Sequence, residues 1–387
     1  MEMKKVLIIS GLQIFPPESG GQLRTANLAS SLGQLGYQVE IYSFTGRKKD
    51  YLERMKSSEF IISKNILEYT NRLPLLGVLQ WFCYKIKWPP IWLTLLTQFI
   101  LPKKLKEMSK GSDRIIIDFP FLYPLKKKLG SRIILNTHNA EFNLYKDRPI
   151  LSSIVKKLEI QAFSKVEKIL FCHENDLNAF QLESIKEKSF ILTNGLDLSR
   201  FVTNNEDRSN IRRSLRIKDD QFLFLFTGSQ YAPNVEAYLF LKKFEEKERT
   251  ELHKNKICLV IVGTVAQEKV DLDTFKVLGR VESVMPYFSA TDYCLNPCRS
   301  GSGTNVKMFE YLAAKKLILS TDFGKRGLQL EDQIDCLVFS EDNFLNALKK
   351  AINLKNEEKG KMEERAFSRN IDLLDMKQQL KNLITQW

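Results

Sequence analysis

Short runs of apolar residues recur along the chain with little polar alternation inside them. In the first half they are Val6-Leu-Ile-Ile-Ser10, Val39 to Phe44, Arg114-Ile-Ile-Ile-Asp118, Arg132-Ile-Ile-Leu-Asn136 and Lys168-Ile-Leu-Phe-Cys172. In the second half they are Phe222 to Gly228, Ile257 to Gly263, Phe275 to Val281, Asp292 to Pro297, Leu317 to Thr321 and Cys336-Leu-Val-Phe339. Such continuous runs mark strands buried on both faces of a parallel sheet. Between them, apolar residues return at helical spacing: Leu28, Leu32 and Leu35 before Gly36; Val306, Phe309, Leu312 and Ala313; Phe344, Leu348 and Ile352. Lys48 to Ser58 reads as a polar helix, Phe60 to Leu67 is ambiguous, and Ile371 to Trp387 reads as helical. Strands alternating with helices predict an α/β fold with parallel sheets.

With 387 residues, two or three domains are expected, each large enough for its own core. Ile191-Leu-Thr-Asn194-Gly195-Leu-Asp197 has turn chemistry and marks a boundary, giving domains over residues 1–190 and 191–366 with a terminal helical segment over 367–387. No internal repeat or low-complexity tract is present.

Charge is more informative than composition. The net charge is +13, but residues 1–190 carry 29 basic against 18 acidic side chains and the remainder 30 against 28. The first half is therefore the one that meets something negative: anionic lipid, nucleic acid or a phosphorylated substrate. One stretch sharpens this. Leu73 to Lys106 contains Trp81, Trp88, Pro89-Pro90 and Trp92, with Lys85, Lys87, Lys103 and Lys104 among and after the apolar residues. Its apolar runs fall short of the roughly twenty residues needed to span a bilayer. Trp- and Leu-rich amphipathic helices with flanking lysines suit the headgroup layer, and Lys126, Lys127 and Lys128 add charge. The alternative is a helical pair whose tryptophans are core. Basic residues mixed with tryptophans between strands match no groove-reading module, so no nucleic-acid partner is expected.

The six cysteines are scattered in apolar runs, as buried free thiols of a reducing compartment are. Cys294 and Cys298 are the closest pair, without the second pair or histidine that a zinc site needs, and no metal is expected. Lys4-Lys5 and the short run after it read as a first strand rather than a secretion signal.

The candidate chemistry centres on Pro297-Cys-Arg-Ser-Gly-Ser-Gly-Thr-Asn-Val-Lys-Met-Phe-Glu310, a glycine turn between a strand and a helix. Gly301 and Gly303 permit positive φ, and Ser300, Ser302, Thr304 and Asn305 share the turn with them. Backbone N–H groups and the helix N-terminus then face an anion, for which phosphate is the obvious guest. Lys307 adds a charge, and Glu310 offers a bidentate acceptor for sugar hydroxyls. A second glycine segment, Phe15-Pro-Pro-Glu-Ser-Gly-Gly-Gln-Leu-Arg24, follows the first strand, but its spacing is not the dinucleotide fingerprint. His138 stands at the C-terminal end of a parallel strand, where α/β sheets place ligands.

Together these segments resemble, in the family's order, the retaining glycosyltransferases of the GT-B fold, family-4 type, found in bacterial cell-surface polysaccharide synthesis. The resemblance rests on the Gly20-Gly21 loop, the His138 strand, the Asn194-Gly195 junction and the motif ending at Glu310. It implies two Rossmann-like domains facing a central cleft, the terminal helix returning to the first. It also implies transfer of a hexosyl unit from a nucleotide diphosphate sugar to a lipid-linked or polysaccharide acceptor, with retention and without cofactor or metal. The enzyme would be cytoplasmic, peripheral on the inner face of the cytoplasmic membrane.

By residue, the resemblance places the donor diphosphate on Gly20, Gly21, Arg24, Gly228 and the turn Ser300 to Asn305. It places the base on main chain around Arg280 and Val281, and the ribose on Glu310. His138, Glu310 and Lys307 are the candidate catalytic residues, with Asn139 and Glu141 on the acceptor side. The chain departs from the pattern twice. The first glutamate of the Glu-x7-Glu pair falls on Ser302, and Ser229-Gln230-Tyr231-Ala232-Pro233-Asn234 has neither the arginine nor the lysine that many relatives carry after Gly228. Asn234 reads as a helix cap. Two other readings stay open: a sugar-nucleotide epimerase on the same scaffold, or a GT-B-shaped assembly partner impaired in catalysis.

Overall fold

The computed structural model describes residues 4–17, 19–45, 58–71, 74–86, 88–130, 133–301 and 305–385. They form two compact units, Met1–Gly195 with Met376–Trp387, and Leu196–Asp375.

The first unit is built on eight strands: β1 (Lys5–Ser10), β2 (Gln38–Ser43), β3 (Ser58–Ser63), β4 (Ile66–Thr70), β5 (Arg114–Asp118), β6 (Ile133–Asn136), β7 (Lys168–Phe171) and β8 (Ser189–Ile191). Their spatial order is β3-β4-β2-β1-β5-β6-β7-β8. All pairings are parallel except the antiparallel β3–β4, which resolves the ambiguous Phe60 to Leu67 stretch as parts of two strands. The expected Lys48 to Ser58 helix lies outside the described residues, save that Ser58 opens β3. Because side chains alternate along a strand, Leu7 and Ile9 of β1 enter one apolar cluster while Val6 and Ile8 enter the other. The first cluster takes in Leu93, Phe121 and Phe163; the second takes in Leu28 and Leu32 of the Gly20–Gln34 helix and Met376, Leu380 and Leu383 of the Met376–Ile384 helix.

Gly20 and Gly21 are therefore the opening residues of a helix rather than a separate turn. Ser19 caps it, accepting the Gln22 N–H at 3.4 Å, and Gly36 beyond its end has φ +89°. The segment leading to this helix is held by Glu68, a fully buried side chain of β4. Its carboxylate accepts the N–H groups of Ile14 and Phe15 at 2.6 and 2.9 Å and the Ser43 hydroxyl at 2.7 Å.

The second unit has seven strands: β9 (Phe222–Thr227), β10 (Ile257–Val262), β11 (Val270–Asp271), β12 (Phe275–Gly279), β13 (Tyr293–Asn296), β14 (Leu317–Ser320) and β15 (Leu337–Val338). Their order is β11-β12-β10-β9-β13-β14-β15, with only the short β11 antiparallel. Phe224, Phe226 and Ile261 face a cluster that includes Leu241 of the Ala232–Lys254 helix. Leu225, Val260 and Cys294 face the other side, with Phe309 and Leu312 of the Val306–Ala313 helix and Ala366 of the Asn356–Leu374 helix.

From β9 the chain runs outward one way through β10 and β12, then returns to the other side of β9 at β13. Such a reversal opens a crevice beyond the C-terminal ends of the two strands, where open α/β sheets bind ligands. In the first unit the reversal lies at β1, between β2 and β5.

Two boundaries differ from the expected 190/191 and 366/367. The changeover falls between Gly195 and Leu196, because β8 adds a strand to the first sheet. The return falls at Met376, because Met362, Ala366 and Asn370 are buried in the second unit until the helix ends at Leu374. The Pro149–Lys165 helix carries Leu151, Val155 and Ala162 on its buried face, a periodicity present in the sequence but not recognised there.

Replacing Glu68 by alanine leaves two backbone N–H groups without their acceptor. The expected cost is about 3 kcal/mol, read as a lower midpoint in urea unfolding with the m-value unchanged.

Candidate donor site and the His138 cluster

In the second unit, two glycines bring the ends of β9 and β10 together. A Cβ on Gly263, whose φ is +113°, would overlap the carbonyl oxygen of Gly228. Gly228 donates its N–H to Val262 at 2.9 Å and accepts from the Val265 N–H at 3.1 Å. Its amide is thus spent inside the sheet, and Gly228 shapes the site rather than contacting a donor. A Cβ there would come within 3.3 Å of Asn234 and Phe226, so the glycine lets the segment after β9 fold closely back.

Asn234 lies in the first turn of the Ala232–Lys254 helix, whose cap position is Tyr231; it is not the cap. Its side-chain amide donates to the Ser229 carbonyl at 3.2 Å, and its Oδ1 accepts from Lys307 Nζ at 2.6 Å. Lys307 is buried, with Nζ 4.4 Å from the centre of the Phe226 ring and 3.5 Å from Cys298 Sγ. Burial lowers its pKa, and Cys298 and Glu310 act against that. Asn234, Phe226 and Cys298 were not singled out in the sequence for this contact; a polar residue three positions into a helix that starts at a glycine turn is the available signal.

Gly301 has φ +126°, a conformation that favours glycine. Ser302, Gly303 and Thr304 lie outside the described residues. Ser300 and Asn305 hold the turn rather than face a ligand. Ser300 Oγ donates to Glu236 at 2.8 Å, and Asn305 Nδ2 donates at 3.0 Å to Asn296 Oδ1 at the end of β13.

Glu310 is half-buried, one turn beyond Lys307. Burial pushes its carboxyl up to about 7, against the pull of Lys307 and Arg200. No described side chain donates a hydrogen bond to it, which leaves both oxygens as acceptors. Arg280, exposed, and Val281, half-buried, follow Gly279 at the end of β12, on the same C-terminal edge of the sheet.

In the first unit, His138 Nε2 is 2.9 Å from Asp118 Oδ1. Asp118 is buried at the end of β5 and also accepts from Asn136 Nδ2 at 2.7 Å and Thr25 Oγ1 at 2.9 Å. Burial alone would raise the Asp118 pKa; His138 and these donors outweigh it and hold it low. The His138 ring stacks on Phe119 at 4.6 Å, and its buried Nδ1 has no hydrogen-bond partner among the described residues. A Cβ on Gly21 would stand 3.1 Å from that Nδ1, so the glycine keeps the helix opening close to the imidazole. Asp118 was missed in the sequence, although an acid at a strand's C-terminal end was visible.

Arg24 does not face a phosphate. Its buried guanidinium donates to Asn136 Oδ1 at 2.9 Å and to the carbonyls of Leu192 and Thr193 at 2.6 and 2.7 Å. It ties the Gly20–Gln34 helix to the segment after β8.

Glu141 is buried, with its pKa pushed up to about 7 by burial against the pull of His138 and of a hydrogen bond from half-buried Asn139. Its N–H donates to Glu159 at 2.8 Å. Glu159, fully buried, is driven up to about 9 by burial and by Glu141, although it accepts the N–H groups of Glu141 and Phe142. Among the described residues, no three His, Cys, Asp or Glu side chains group as metal ligands would.

Residues 221–354 match the family model for "Glycosyl transferases group 1". The match lies within the second unit. The whole chain is also similar in structure to known proteins of the GT-B fold. Anabaena Alr3699/HepE, in complex with UDP-glucose, aligns at TM-score 0.66 and 13% identity over 99% of this chain and 100% of that one. Sucrose-phosphate synthase from Thermosynechococcus elongatus aligns at 0.67 and 12%, over 99% and 98%. The trehalose 6-phosphate synthase of Burkholderia multivorans aligns at 0.65 and 11%, over 100% and 96%. No curated protein matches the chain by sequence. The fold is GT-B: α/β, in two units, each with a parallel-dominated sheet.

The raised pKa of Glu159 predicts a pH dependence of stability. The folded chain keeps this proton up to about 9, while the unfolded chain releases it in the ordinary carboxylate range. The folded state therefore binds more protons in between, and stability falls as pH rises through that window. In Glu159→Gln, urea midpoints at about pH 5 and pH 8.5 should lie closer together than in the wild type; an unchanged difference would remove the assignment.

Proposed function

We propose that the protein transfers a hexosyl unit from a nucleotide diphosphate sugar to a lipid-linked or polysaccharide acceptor at a membrane surface, with retention of configuration and without a metal. The observation that carries this reading is the Gly301 turn at the strand reversal, with the buried Lys307 and with Glu310, to which no described residue donates a side-chain hydrogen bond, on the helix that follows. The donor diphosphate rests on the turn and on the N-terminus of the Val306–Ala313 helix, with Lys307 adding charge. Glu310 accepts from the ribose hydroxyls and main chain at Arg280–Val281 meets the base; in the first unit, His138, whose Nδ1 has no hydrogen-bond partner among the described residues, is the candidate to orient the sugar. Departure of the diphosphate is aided by dipoles already aligned before reaction, which need no reorganisation as charge develops. HepE was solved with UDP-glucose, so UDP-sugars are the first donors to test.

The membrane surface is the first unit's contribution. The Pro74–Lys85 and Ile91–Phe99 helices expose Trp81, Phe82 and Phe99, the last at 78%, and Trp88 is exposed between them. Near them a hollow of about 280 Å³ is lined by Trp88, Arg148, Pro149, Ile150, Leu151 and Ile154. Trp92 is different, being half-buried against the core. Lys104 pairs with Glu59 at 2.6 Å and Lys128 donates to the Thr97 carbonyl, so Lys85, Lys103 and Lys106 carry more of the attraction to anionic lipid. No described helix is long and apolar enough to cross a membrane.

Two outcomes follow. Glu310→Ala and Lys307→Ala should each weaken donor binding at least ten-fold by titration calorimetry, with product analysis showing transfer to an acceptor and not epimerised donor; unchanged affinity in both would remove these assignments. The protein should float with vesicles containing phosphatidylglycerol but not with phosphatidylcholine alone, and Phe82→Glu with Trp88→Glu should reduce the bound fraction several-fold.

A further inference from the structure

The glycosyltransferase reading leaves a deficit of charge at the diphosphate. Lys307 is committed to Asn234 and lies over Phe226, and burial disfavours its charged form. Arg299, next to the turn in sequence, forms an ion pair with Glu341. Lys325 pairs with Asp322 at 3.2 Å. The segment after Gly228, where many members of the resembled family carry an arginine and a lysine, has neither.

A different loop delivers a guanidinium to the turn. After β14, Thr321 donates its hydroxyl to the Cys298 carbonyl and accepts the Gly324 N–H at 2.9 Å. Asn296, at the end of β13, donates to the Gly324 carbonyl at 3.0 Å. A Cβ on Gly324 would overlap Ser320 Oγ and stand 2.6 Å from Asn296 Nδ2, so only glycine lets the loop lie this close over the strand ends. The consequence is the position of Arg326. Its Nη2 would be 3.4 Å from a Cβ on Gly301, its guanidinium stacks 4.0 Å from the centre of the Phe323 ring, and Nη1 donates to the Phe323 carbonyl at 3.1 Å. The Arg326 charge also acts to lower the Lys307 pKa.

We propose that Arg326 is the main diphosphate-binding cation of this protein, its planar fork meeting phosphate oxygens beside Gly301 while the helix amides meet the others. The role is one that Lys cannot fill equally, since a guanidinium donates two parallel hydrogen bonds where an ammonium acts as a point charge. This rests on the donor reading above, and the experiment separates the two.

Titration calorimetry compares a nucleoside diphosphate with its nucleoside on wild type, Arg326→Gln and Arg326→Lys, using UDP and uridine first and the guanine and adenine pairs if uridine compounds do not bind. The expected result is a loss of about 10- to 100-fold in diphosphate affinity for Arg326→Gln, a smaller loss for Arg326→Lys, and nucleoside affinity unchanged within about two-fold. Should Arg326→Gln fail to fold, phenylglyoxal labelling of the wild type, read by peptide mass spectrometry, replaces it: bound diphosphate should protect Arg326 and nucleoside should not. Diphosphate affinity equal in all three proteins, or labelling unaffected by diphosphate, overturns the assignment while leaving the donor reading intact. A wild type that binds no nucleoside diphosphate overturns both.

Discussion

Burial of the Lys307 ammonium is the constraint on which the second unit's site depends. Taking such a group out of water is costly unless polar partners replace the lost hydration. Here the replacements are neutral: an amide oxygen, an aromatic face and a thiol. Each comes from a different segment, so the cation holds together the end of β9, the start of the Ala232–Lys254 helix and the end of β13. Because no carboxylate touches Nζ among the described residues, the site keeps a positive potential that an incoming anion can use. The glycines at 228 and 263 make the arrangement possible by letting two strand ends and the following turn pack without side chains between them.

The first unit uses its buried cation differently. Arg24 is saturated by two carbonyls and the oxygens of Asn136 and Asn194, so its charge is consumed in joining a helix to the sheet's edge. His138 keeps unused capacity: Asp118 and Phe119 fix it, and Nδ1, beside Gly21, has no hydrogen-bond partner among the described residues. An imidazole anchored through one nitrogen and open at the other is suited to orient a hydroxyl. Arg24, whose charge is met inside the protein, thus builds the fold, whereas the imidazole of His138 is available to a ligand.

Much of this was legible in the sequence. The parallel strands announced themselves as unbroken apolar runs, and the glycine turn at 301 and the helix after it followed from local pattern alone. What remained hidden was tertiary. Arg24 looks like a phosphate ligand from its place after Gly20-Gly21, and only the fold shows carbonyls of residues 192 and 193 closing on it. Asn234 looks like a cap, and its bond to a lysine 73 positions away has no local sign. Gly228 reads as an anion contact until its amide is seen paired with Val262. The end of the first unit was misplaced because β8 has only three residues, too few for a periodic signal. Arg326 sits in a loop whose route is set by Gly324 packing against Asn296, a contact between segments 28 residues apart.

The donor reading requires that amides at the mouth of the Val306–Ala313 helix meet a diphosphate. Hydrogen–deuterium exchange of the full chain, with and without a saturating nucleotide diphosphate sugar, tests it most directly. Slowed exchange in peptides covering residues 301–310 is the predicted result. Slowing confined to other segments, with this one unchanged while ligand is bound, would contradict it.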